Sequence, residues 1–469
     1  MDNTKRLGED GILKLLVEFS VPAIVGMLVS SLYNIIDRIF IGNSAGPLGL
    51  AGITVGFPIM LIQMAFSGMI GLGATSLISI RLGQKKKEEA ELIIGNSVVL
   101  LAVISILITT AGLFFLDPIL KVFGASSEVL PYARDYMGII LGGSVFGAFG
   151  MGMSNFIRAE GKPTVAMAAV LISAVLNAAL APLFIFVFKW GMRGAAIATV
   201  ASQAVSAVWV VSHFAMGRSA LRIRTENFRL RFDIISGVCS IGVAPFVMQV
   251  AQCALFAIMN ISLRKYGGDV AISGMGVVNS LSTLIILPVI GINQGAQPII
   301  GYNYGGRNYG RVKSVLTYAA LAATGVSSLG FAVTRLFPVQ LVSLFSKDKE
   351  LVAFGSHALI LFFMLLPIIG FQIVGSGYFQ AVGKPRQSMI LSLSRQVLIF
   401  IPAMLVLPRF FGLDGLLAAG PLSDFTSSVI TGLWLFLELK NLRQKQEDSS
   451  SSGTSASLSG GSPSTLQSE

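Results

Sequence analysis

Shifting the chain by 222 positions lays its second half over its first. Gly73 then falls on Gly295, Gly83 on Gly305, Phe123 on Phe345, and Gly161, Lys162 and Pro163 on Gly383, Lys384 and Pro385. The match runs from near Gly52 on Gly274 to the region of Gly191 and Gly412, where the shift changes by one. Solenoids repeat every few tens of residues, so a single duplication of half a chain is a different architecture, two copies of one large unit.

The polarity of that unit decides where it folds. Charged residues are 12% of the chain and hydrophobic residues 54%, about half the charge of an ordinary soluble domain. A chain of 469 residues so composed cannot cover itself with polar surface and belongs in a bilayer. Apolar runs long enough to cross a hydrocarbon core roughly 30 Å thick as helices occur at 15-40, 50-80, 91-115, 132-157, 164-188, 194-215, 234-262, 272-300, 314-336, 353-379, 388-408 and 415-439. The ten-residue alternation of a barrel is absent, which leaves helices as the way to satisfy the backbone in lipid. The expected fold is an all-α integral membrane protein with twelve transmembrane helices in two six-helix lobes.

Six crossings per unit is an even number, so both lobes enter from the same face and form a parallel repeat, an architecture of secondary transporters. Placing both termini inside puts about 22 of the 34 Lys and Arg on that side and about 11 on the other, the basic excess expected of cytoplasmic loops. The net charge of +11 then reflects topology and contact with anionic lipid, and no nucleic acid is implied. The first apolar run is too long for a cleaved signal and is retained. The expected organisation is an N-lobe at 1-215, a cytoplasmic linker at 216-233 carrying a short amphipathic surface helix, a C-lobe at 234-446, and a disordered Ser/Gly-rich tail at 447-469.

Enzyme chemistry finds little support. The two histidines, His213 and His357, lie in unrelated spans, and HExxH, GxSxG and Walker loops are missing. No catalytic residues, metal site or cofactor are expected. Cys239 and Cys253 share one predicted helix about 21 Å apart and cannot bridge each other.

One carboxylate stands out. Asp37 lies deep in the first span, and Tyr33, four residues earlier, shares its helix face. Either it is hydrated at the interface beside Arg38, or it is an ion or proton site, the usual reason a membrane helix keeps a carboxylate. The corresponding position in the second repeat, allowing a one-residue slip, is the neutral Asn260.

The string from Gln294 to Gly305, QGAQPIIGYNYG, taken with Pro22, Tyr33 and Asp37, resembles the multidrug and toxic compound extrusion (MATE) family in its DinF-like branch. The resemblance covers all twelve spans. It implies a secondary active exporter that antiports amphipathic, often cationic, compounds against H+ or Na+ by alternating access, as a multi-pass monomer of the bacterial inner membrane. Carried over by motif, Tyr33, Asp37, Asn177 and Thr199 form the cation-coupling cluster, and Pro22 is the proline that bends the first helix. The family's LDPLFI string reads Leu180-Ala181-Pro182-Leu183-Phe184-Ile185 in this chain, so the second carboxylate is missing. That loss weighs against Na+, which gains from several charged oxygens, and favours H+, which needs one titratable group.

The candidates for polarity in a substrate cavity are Gln63, Gln249, Gln252, Asn260, Gln294 and Arg395, because an unpaired amide or guanidinium in lipid is costly. Arg395 either faces that cavity or snorkels to the interface. Two other functions remain open. A lipid-linked saccharide flippase would need a strongly cationic cavity, whereas the arginines here cluster in loops; a non-transporting membrane scaffold is compatible with Ala181.

Overall fold

The computed structural model describes residues 3–217 and 219–458, and these form helices and turns without a strand. Eight helices are individually long and apolar enough to cross a membrane, and two bent pairs add two more spans. One of the eight, Ile12–Gly83, breaks at Gly46 and supplies two crossings. A further crossing follows the break at Gly412 within Pro408–Leu458. All twelve expected spans are therefore present.

Spans 1 and 2 are 12–45 and 47–83, and span 3 is Lys87–Phe114. Span 4 joins Leu130–Gly142 to Ser144–Ala159, span 5 is Pro163–Val187 and span 6 is Gly191–Ala215. In the second half, spans 7, 8 and 9 are Phe232–Gly268, Val270–Gly305 and Tyr309–Leu336. Span 10 joins Lys349–Phe362 to Leu366–Ala381, and span 11 is Pro385–Val406. Span 12 follows Gly412. Pro163 and Pro385 open their spans, where a missing N–H breaks no helical hydrogen bond.

The duplication extends to backbone geometry. Gly46 breaks the helix at φ 63°, ψ −158°, and Gly268 does so at φ 66°, ψ −160°. These left-handed conformations suit glycine because no Cβ is present to clash. Lys85 and Arg307, again one repeat apart, both sit at φ 60° in the turns that follow spans 2 and 8. Spans 4 and 10 bend by 53° and 52°.

The lobes have apolar cores, and their buried polar side chains lie on inward helix faces while large apolar side chains cover the outside. Span 12 turns Phe425, Leu433 and Phe436 outward and Asp424, Ser427 and Thr431 inward. This is the pattern of helices whose solvent is lipid, where small and polar residues make the interhelical contacts.

The lobes meet at one end, the end that carries the turns after spans 2 and 8 at Lys85 and Arg307. There span 2 packs on span 7, where a Cβ on Gly73 would lie 2.1 Å from Val238 O. The repeat-related contact places Gly295 of span 8 against Ser20 of span 1, at 2.7 Å. Further along, Phe66 and Phe246 touch with ring centroids 4.8 Å apart, and Gly291 abuts Ile24.

Two expectations need amendment. Among its described residues the linker holds one 3-10 turn, Thr225–Phe228, in place of an amphipathic surface helix, because Leu221 is buried in the N-lobe core and the backbone is tied to spans 3 and 4. The last helix continues to Leu458, into the Ser-rich segment for which disorder was expected; extending a formed helix is easier than nucleating one. The rest of that tail, 459–469, lies outside the described residues.

Candidate functional site

Asp37 is 6% exposed in span 1. Its Oδ2 accepts a hydrogen bond from Tyr136 OH of span 4 at 3.4 Å. On span 6, Thr199 Oγ1 gives its single proton to Ala195 O at 3.1 Å and accepts from Asn177 Nδ2 of span 5 at 3.0 Å. Tyr33 OH lies 3.4 Å from the same oxygen and is therefore the donor there. Tyr33, Asp37, Asn177 and Thr199 thus converge from three helices, with Tyr136 of a fourth.

Two atoms in this cluster stay open. Asp37 Oδ1 and Asn177 Oδ1 are buried and have no hydrogen-bond partner among the described residues. Both are acceptors, and an unsatisfied buried acceptor costs about 1–3 kcal/mol. The arrangement therefore suits a proton or a small cation. Ala181, four residues beyond Asn177, is fully buried and offers no oxygen from its side chain. Pro22 lies in the same long helix, which runs through it without interruption.

Next to the cluster the lobes part. Span 1 touches the other lobe at Ser20 and Ile24, and the same helix face continues through Met27, Ser31, Asn34 and Arg38, of which Asn34 and Arg38 are exposed. On span 7 the line through Gly242 and Phe246 continues to Gln249, Cys253, Phe256 and Asn260, of which Phe256 and Asn260 are exposed. Around the break at Gly46, Ile35, Arg38, Ile39 and Asn43 of span 1 and Leu50 and Thr54 of span 2 line a cavity of about 680 Å³. Apolar walls with a few polar groups are the usual make-up of a small-molecule pocket.

The remaining candidates fall in several places. Gln249 is half-buried and Asn260 exposed along the cleft line, and Gln252 is exposed on another side of span 7. Gln63 donates to Ser144 O at 2.9 Å, bracing the bend of span 4. Gln294 accepts from Arg158 Nη1 of the other lobe at 3.0 Å, at the closed end. Arg395 neither snorkels nor stands free in a cavity: its Nε donates to Asp424 Oδ1 at 2.7 Å inside the C-lobe. Gln63, Gln294 and Arg395 have thus each found a partner, as burial in a bundle requires. Sequence reasoning missed Tyr136, whose bond to Asp37 spans 99 positions and leaves no periodic trace.

A duplicated six-helix lobe, a buried carboxylate cluster and a cleft closed at one end define the class as a two-lobed membrane transporter. The family described as MatE matches residues 22–183 and 245–405, one segment in each lobe. The chain belongs to the MATE family. It is 28% identical over 409 residues to the multidrug export protein MepA of Staphylococcus haemolyticus, covering 87% of this chain and 90% of that one. The structure of the MATE multidrug transporter DinF-BH in complex with R6G is similar at a TM-score of 0.86 and 40% identity, over 92% of this chain and 97% of that one. An outward-facing MATE transporter superposes at a TM-score of 0.89 with 24% identity, over 95% and 99% of the two chains, a likeness of fold.

Proposed function

We propose that this protein is a multidrug exporter in which proton exchange at Asp37 drives extrusion of small amphipathic compounds through the inter-lobe cleft. The observation that carries the coupling is the pair of buried, open acceptors, Asp37 Oδ1 and Asn177 Oδ1, in one cluster beside that cleft. A proton taken up there removes a charge from the bundle and leaves Tyr136 bonded to a neutral group. H+ is preferred to Na+ because Ala181 supplies no second carboxylate.

Basic loops mark the cytoplasmic side. With the end at the Lys85 turn closed, the cleft opens outward, both termini are cytoplasmic, and the membrane is a bacterial plasma membrane. The relatives named for multidrug export support small amphipathic substrates, and the protein is read as a monomer that performs no catalysis. Efflux of a fluorescent cation from proteoliposomes under an imposed pH gradient or an imposed Na+ gradient tests this reading. Efflux driven by the pH gradient alone supports it; efflux that follows only Na+ refutes proton coupling, and efflux under neither gradient refutes the exporter.

A further inference from the structure

Each lobe is preceded by a segment that is fastened to the other lobe. Ahead of span 1, residues 5–10 dock on the C-lobe: Asn303 Nδ2 donates to Leu7 O at 2.8 Å and Arg311 Nη2 to Asp10 O at 2.7 Å. Leu7 is 1% exposed and packs within a C-lobe core cluster. Ahead of span 7, residues 219–231 dock on the N-lobe. Asn96 Nδ2 donates to Asn227 O at 3.1 Å, and Asn96 Oδ1 accepts from Arg231 N at 2.7 Å. Glu91 Oε1 accepts from Arg222 N at 3.1 Å, and Leu221 is fully buried in an N-lobe core cluster.

We propose that these two segments are reciprocal straps that hold the loop end of the cleft shut, and that both must detach from the opposite lobe before that end opens. The proposal rests on the reading that the lobes rock apart there during transport. Its reason is reach. Arg231 is bonded to Asn96 and is followed at once by Phe232, the first residue of span 7. Asp10 is bonded to Arg311 and is followed after one residue by Ile12, the first residue of span 1. At no more than about 3.6 Å per residue, neither connection has slack. A lobe that swings away carries its own strap off the other lobe, so the strap bonds oppose the opening. The arrangement is not inherited from the duplication, because the shift of 222 places Leu7 on Arg229.

The test reads closure directly, so it does not depend on transport. In a Cys239→Ser, Cys253→Ser background, Ser79→Cys puts a thiol at a fully buried position of span 2, against Gly301 of span 8. The rate at which a water-soluble maleimide modifies it is compared with and without Glu91→Ala plus Asn96→Ala, and with and without Asn303→Ala plus Arg311→Ala. A parallel thiol from Ala133→Cys, fully buried inside the N-lobe, reports general loosening. Loss of either strap is expected to speed modification at position 79 by about tenfold while position 133 stays slow. An unchanged rate at 79, or an equal rise at both positions, overturns the proposal.

Discussion

Gly83 and Gly305, one repeat apart, are packed against each other's helices: a Cβ on Gly83 would lie 1.9 Å from Tyr302 O, and one on Gly305 would lie 2.1 Å from Ile80 O. The reciprocity makes the closed end a pseudo-twofold contact of backbone on backbone, close enough that only hydrogen fits.

Substituting Gly305 tests that contact. Because the obstructing atoms are main chain, Gly305→Ala must push spans 2 and 8 apart, at a cost of about 1–3 kcal/mol. Thermal melting in detergent is expected to fall relative to Gly325→Ala, where a Cβ meets nothing within 4 Å. Equal melting of the two variants would show that the lobes are not in contact there.

Asp37→Asn is expected to abolish gradient-driven efflux and leave the fold intact, since the amide keeps the shape of the carboxylate and loses its titration. Binding of a fluorescent substrate should persist. Efflux at the parental rate with an unchanged pH optimum would move the coupling group elsewhere.

Tyr136→Phe removes the hydroxyl that serves Asp37 Oδ2 and leaves that carboxylate oxygen without its donor. We expect efflux to fall by about tenfold or more, the effect of one hydrogen bond to a charged group at about 1.5–3 kcal/mol. Binding of a substrate that sits in the cleft should change less. A variant indistinguishable from the parent in pH-driven efflux refutes a part for Tyr136.

Ala181→Asp restores a second carboxylate to the buried face beyond Asn177. Two charges in one pocket favour a cation over a lone proton, so Na+ should begin to stimulate efflux or protect the protein against unfolding. Complete indifference to Na+ would place position 181 outside the ion site.

Arg395 and Asp424 form a partly buried ion pair at 2.7 Å. Arg395→Leu or Asp424→Leu alone leaves the partner's charge unpaired, with a loss of about 3–5 kcal/mol. Arg395→Leu combined with Asp424→Leu should recover much of it. Melting temperatures of the three variants decide, and a double variant whose loss equals the sum of the two single losses would show that the pair is not coupled.

Much of this was written in the sequence by itself. The shift of 222 foretold two lobes, and long apolar runs foretold twelve helices, because a helix is the form in which one continuous segment satisfies its own backbone in lipid. Tyr33 beside Asp37 follows from the spacing of four within one helix. Asn177 and Thr199 were found by their resemblance to a family pattern. Tertiary structure alone decided the rest. Tyr136 reaches Asp37, Arg395 meets Asp424, Lys384 meets Glu438 at 2.6 Å, and Asn96 holds the linker, each across separate elements. Periodicity speaks only for neighbours on one helix. In a bilayer the core of a lobe and its lipid-facing surface are equally apolar, so hydropathy does not say which face turns inward or which polar side chain it will meet.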